Sequence, residues 1–129
     1  MNPVTVTSFG YLHGPAPEAH IVLDLRKHFR DPHVSPELRH LTADDRAVRE
    51  AVLRTPGILP LIDATAAAVR AYQGGPSAGP VTVAVGCAGG RHRAATVART
   101  LALALTDADA DAEDVTVVDR DLHRPVVAR

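Results

Sequence analysis

Tryptophan is missing from this chain of 129 residues, and cysteine and lysine occur once each, as Cys87 and Lys27. A lone cysteine excludes an internal disulfide and fits a reducing cytoplasm. With only two phenylalanines and two tyrosines, the core must be built from Val, Leu, Ile and Ala, as in α/β layer packing. A net charge of -1 and a pI near 6.6 leave no global basic field to gather nucleic acid. No stretch approaches the ~18 apolar residues that span a bilayer. The start, Met1-Asn-Pro-Val4, lacks the basic and apolar regions of a secretory signal, so the expected location is cytoplasmic and no membrane partner is expected.

What is present is a hydrophobic fraction of 46% with 22% charged residues, enough for one globular domain with a real core. The chain is organised around Val81-Thr-Val-Ala-Val-Gly-Cys-Ala-Gly-Gly-Arg-His-Arg93. The valine-rich run 81–85 predicts a buried parallel strand. Gly86, Gly89 and Gly90 let backbone amides crowd toward one point. The helix expected over Arg91 to Thr106 aims its unpaired N–H groups and positive dipole end there too. Arg91, His92 and Arg93 add charged donors, so phosphate is the natural guest. No Lys-Ser or Lys-Thr follows the glycines, which excludes a Walker A loop. The Gly-x-x-Gly-Gly spacing is also not a dinucleotide fingerprint.

In chain order, Val4–Phe9 alternates as a first strand and a Gly/Pro-rich loop carrying His13 follows. His20–Arg26 predicts a second strand, apolar enough to be interior, with Asp24 and Arg26 at the carboxyl end where open α/β sheets place ligands. A basic loop with His33 leaves that end. Thr42-Ala-Asp-Asp45 resembles a capping box and starts a helix through Arg54, with Arg46, Arg49 and Glu50 on a solvated face. A second helix from Ile58 to about Tyr72 buries Ile58, Leu61, Ile62, Thr65, Val69 and Tyr72, with Pro60 in its first turn. Val115–Val118 is a last short strand and a charged tail follows. The expected architecture is a single α/β domain, a mainly parallel sheet of about four strands with flanking helices.

Cys87 and Arg93 satisfy Cys-x5-Arg, the spacing of cysteine-dependent phosphatases and rhodanese-like sulfurtransferases. A thiol before a helix start can become a nucleophilic thiolate while the arginine grips the anion. Gly86 stands where such phosphatases carry histidine, and Ala94 where they carry Ser or Thr. Cys87 can equally be a small buried residue closing a strand, or touch the anion without reacting. No histidine pair sits at metal-ligand spacing beside carboxylates, so neither metal nor cofactor is expected.

Ser8–Gly14, Leu23–Arg26, Asp31–His33 with Pro36–Arg39, and Val83–Arg93 together resemble, in order and over nearly the whole chain, the carboxyl-terminal domain of the RNase adapter protein RapZ family. The resemblance implies residues 1–129 are one such domain, standing alone without the Walker-type nucleotide-binding domain that precedes it in the family. It implies a noncatalytic sensor of an amino-sugar phosphate such as glucosamine 6-phosphate, with His13, Arg26, His33, Gly89, Gly90, His92 and Arg93 lining the pocket. Cys87, Ala88 and Arg91 complete the candidate ligand-binding set. The family also presents small RNAs to an endoribonuclease; here Val118-Asp119-Arg120 replaces the usual Arg-His-Arg run, so RNA binding is expected to be weak. Ala88 and Ala94 replace the family's Thr and Ser. A protein partner, a separate nucleotide-binding protein or self-association would complete such a domain's regulatory role.

Overall fold

The computed structural model describes residues 3–29, 36–77, 79–107 and 114–126. Four strands, β1 (Val4–Gly10), β2 (Ile21–Asp24), β3 (Val81–Cys87) and β4 (Val115–Asp119), pair in the order β2-β3-β1-β4. Every pairing is parallel, with Val4 opposite both Val81 and Val115, and Ile21 opposite Val83. Three helices flank the sheet: α1 (Arg46–Leu53), α2 (Ile58–Gln73) and α3 (Arg93–Asp107). Tyr11–His13 and Pro36–Leu38 form single 3-10 turns.

Alternation decides which sheet face is covered. Val4, Val6, Val81, Val83 and Val85 point one way and form one cluster with Val48 and Val52 of α1, Ile58, Ile62 and Val69 of α2, and Val97, Leu101 and Leu105 of α3. Burying each such side chain stabilises the fold by about 1.5–3 kcal/mol. Thr5, Thr7 and Thr82 point the other way and stay half-buried, and Thr116 is exposed. No single helix among the described residues is long and apolar enough to cross a membrane; α1 and α2 reach that length only together, bent by 85°, and their apolar sides belong to the core.

Four expectations need correction. The second strand is shorter than expected and lies at an edge, because only Ile21 and Leu23 face the core while Val22 is 46% exposed. Thr42 does not start a helix. Its Oγ accepts from the Asp44 amide and its own amide donates to Asp45 Oδ2, closing a turn that leaves Asp45 as the N-cap of α1. Arg49 is not a solvated cation, since its Nη1 donates to the carbonyls of Ala43 and Asp44. Tyr72 is 48% exposed and packs against the His20 ring, because Val69 already takes the inward position on that side of α2.

Candidate functional site

The carboxyl ends of β1 and β3 meet over the glycine loop, and glycine is required there by contact. A Cβ on Gly86 would lie 2.4 Å from the Phe9 ring, and one on Gly10 would lie 2.4 Å from the Gly89 carbonyl carbon. Gly90 adopts a φ of 78° and passes within van der Waals range of Gly10 and Asp121, a left-handed conformation that side chains resist. The absent histidine of the phosphatase pattern thus has a steric cause: Phe9 and Tyr11, packed edge to face at 4.7 Å, fill the space beside Gly86.

α3 begins at Arg93, two residues later than the periodicity predicts. The Arg91 carbonyl accepts the Ala43 amide, and the His92 carbonyl takes the first helical bond from Thr96. Cys87 is 2% exposed, and its Sγ accepts the amides of Gly90 (3.3 Å) and Ala94 (3.4 Å). The amides of Gly89, Arg91, His92 and Arg93 find no acceptor among the described residues. The Arg93 amide is a free donor of the first helical turn, and the other three belong to the loop that leads into its positive dipole end.

The basic side chains are placed differently from a simple ring around an anion. Arg91 donates to the carbonyls of Arg124 and His40, and its Nε is buried without a partner among the described residues. His92 Nε2 lies 2.7 Å from the Leu41 carbonyl, which makes that nitrogen the protonated one. Burial holds the His92 pKa below the usual imidazole value, outweighing the Leu41 carbonyl, and Arg91 lowers it further. Arg93 Nη1 donates to the Leu25 carbonyl. A carbonyl partner leaves the charges of Arg91 and Arg93 uncancelled, so all three side chains clip the neighbouring loops around the helix start while the two arginines keep its field positive.

Of the remaining candidates, Ala88 accepts the Leu12 amide at 3.0 Å, which seats the Tyr11–His13 turn against the loop. His13 Nε2 is buried with no partner among the described residues. Arg26 lies two residues beyond β2, doubly bonded to Asp24 and 3.6 Å above the Tyr11 ring. His33 falls outside the described residues. Among those described, no three His, Cys, Asp or Glu side chains converge as a metal site would need.

Sequence reasoning missed Arg120 and Asp121, which read as part of a charged tail. Arg120 spans the carbonyls of Gly10, Gly14 and Pro15. The Asp121 side chain is wholly buried; its Oδ2 accepts the Gly10 amide at 2.8 Å and Arg120 Nε at 3.0 Å. Arg124 Nε lies 3.0 Å from Oδ1, near enough for ion pairing but off the line of a hydrogen bond. Leu122 packs with Ala43 and Ala95, and this one apolar residue within the charged run was the available signal that the tail folds back. Asp119 accepts the Ser8 hydroxyl and Arg99.

A shallow depression of about 530 Å³, lined by Pro17, Glu18, Ala19, His20, Val22 and Thr82, lies at the opposite, amino-terminal end of the sheet.

A family model described as RapZ C-terminal domain matches residues 2–123. A nucleotide-binding protein of Thermobifida fusca is 38% identical over 122 residues, covering 92% of this chain and 40% of that protein. One from Frankia alni is 42% identical over 123 residues, covering 93% and 41%, and one from Streptomyces coelicolor is 37% identical over 123 residues, covering 93% and 40%. The chain thus spans about 40% of the length of the curated relatives it matches. With the match covering nearly every residue, the chain belongs to the RapZ C-terminal domain family.

Proposed function

We propose that this domain binds a phosphorylated metabolite, an amino-sugar phosphate such as glucosamine 6-phosphate, at the Cys87–Arg93 loop and acts as a noncatalytic sensor. The observation that carries the reading is the set of amides at Gly89, Arg91, His92 and Arg93, without acceptors among the described residues, in the loop and first turn of a helix start that bears the cations Arg91 and Arg93. His13 and Arg26 flank the loop and serve the sugar end of the ligand; His33 is assigned by resemblance alone. Binding without turnover is supported by Cys87, whose buried sulfur already accepts two amides, and by the absence of any room for a side chain at Gly86. A small anion is favoured over RNA because Phe9 is fully buried and the Tyr11 ring is covered by Arg26, so neither offers a free stacking platform.

Titration calorimetry with glucosamine 6-phosphate and with glucosamine tests the reading. Binding should require the phosphate, and Arg93→Ala should weaken it by about 1.5–3 kcal/mol, the scale of a charged hydrogen bond. Equal affinity for the two sugars would sink the proposal.

A further inference from the structure

We infer that Arg120, held by Asp121, is a positioning residue that decides what the site accepts beyond the phosphate. The inference rests on the reading of the glycine loop as a phosphate cradle and deepens it.

The segment Gly10–Pro15 forms one wall of that cradle. It lies so close that Gly10 touches the Gly89 and Gly90 backbone, and the Leu12 amide reaches the Ala88 carbonyl. Next to that contact stands His13, with a buried ring nitrogen lacking a partner among the described residues. With two glycines and a proline, the segment has little stiffness of its own apart from one 3-10 turn. Its carbonyls turn instead to Arg120: Nη1 donates to Pro15 at 2.7 Å, and Nη2 lies 3.3 Å from Gly14 and 3.4 Å from Gly10. The planar fork is itself fixed, because Nε donates to buried Asp121 and the Arg120 amide donates to the Ser8 carbonyl.

These donors are committed to the protein, so Arg120 acts on a ligand only through the wall it holds. The phosphate is read by backbone amides on α3 and its loop, whereas the group esterified to it meets Gly10–Pro15. Locking that wall before binding removes the ordering cost that a glycine-rich loop would otherwise impose. The consequence is a division of labour. The cradle recognises phosphate, and the Arg120-locked loop distinguishes a polar phosphate ester from the bare ion.

The test is calorimetry on the full chain with inorganic phosphate and with glucosamine 6-phosphate, for wild type, Arg120→Lys, His13→Ala and the double variant. Lysine keeps the charge, but its single nitrogen lacks the fork that holds Asp121 and the three carbonyls at once. Arg120→Lys should weaken the sugar phosphate about tenfold and inorganic phosphate by less than about twofold, since only loop ordering is lost. His13→Ala should show the same selectivity, and the double variant should bind no worse than the weaker single one, because both act through one loop. Equal losses for both ligands, no loss for either, or additive losses would overturn the inference. If Arg120→Lys fails to fold, His13→Ala alone must still lose the sugar phosphate selectively, and a uniform loss there overturns it. Wild-type protein that binds phosphate but gains nothing from the sugar refutes this inference alone; wild-type protein that binds neither refutes the cradle as well.

Discussion

The two walls beside the glycine loop use the same pair of residue types in opposite ways. On the β4 side, Asp121 is buried with its side chain at 0% exposure, and both it and Arg120 bond to the backbone of Gly10–Pro15. On the β2 side, Asp24 and Arg26 bond chiefly to each other, at 2.7 Å, with side chains 43% and 45% exposed. A buried carboxylate is tolerated only when hydrogen bonds replace its lost hydration, so the first pair ties loop to sheet. An exposed pair gives up little hydration and can exchange partners at small cost. The first wall is therefore fixed, and the second leaves Arg26 free to exchange its partner.

The sharpest way to break this comparison is to remove each carboxylate in turn and measure unfolding in denaturant. Asp121→Ala strands the buried Gly10 amide and takes the carboxylate from Arg120, whose side chain is 30% exposed, and should cost about 1.5–3 kcal/mol, the scale of a hydrogen bond to a charged group. A loss under ~1 kcal/mol would mean that water replaces the carboxylate and that the wall is not fixed by it.

An intermediate effect is expected at His92, half-buried against the Leu41 carbonyl. Burial lowers its pKa in the folded state, so below the ordinary value of about 6.5 the unfolded chain binds protons that the folded chain does not. Stability from this residue is complete above that value, and it falls as the pH drops toward the lowered folded value. Unfolding free energies measured through this range should decline for the wild type and decline less for His92→Gln; parallel curves would refute the assignment.

The smallest effect belongs to Asp24→Ala. Arg26 holds the Asp24 carboxyl below the usual carboxylate value, which contributes stability above the unfolded pKa that is lost as pH falls through the folded one. At this exposure the loss should stay under ~1 kcal/mol. A cost matching that of Asp121→Ala, read from the same denaturant curves, would erase the distinction between the walls.

Much of the fold was legible because local sequence carries its own period. Alternating Val4 and Val6, the continuous run from Val81, and Ile58, Ile62 and Val69 at helical spacing each name an element and its buried face. Neighbour relations were not legible in that way. Ile21–Asp24 is as apolar as an interior strand, yet whether a second strand lies beyond it depends on where β1 and β4 pair. Thr42-Ala-Asp-Asp45 likewise suits a helix start or a turn, and the choice was made by Ala43 bonding to the Arg91 carbonyl, 48 positions away.

That a glycine loop leads from a buried strand into a helix was determined by sequence alone, because three glycines, a β-branched strand before them and basic residues after them act within one short stretch of chain. The first residue of that helix was not, since Ala43 takes the Arg91 carbonyl. The destinations of the charged side chains were decided only by tertiary structure. Arg91, Arg93 and Arg120 reach carbonyls 33, 68 and 105 positions away, and Asp121 reaches an amide 111 positions away. A long flexible cation has no preferred partner until folding places a dehydrated carbonyl within its reach, and that placement belongs to the packed sheet and not to any local run of residues.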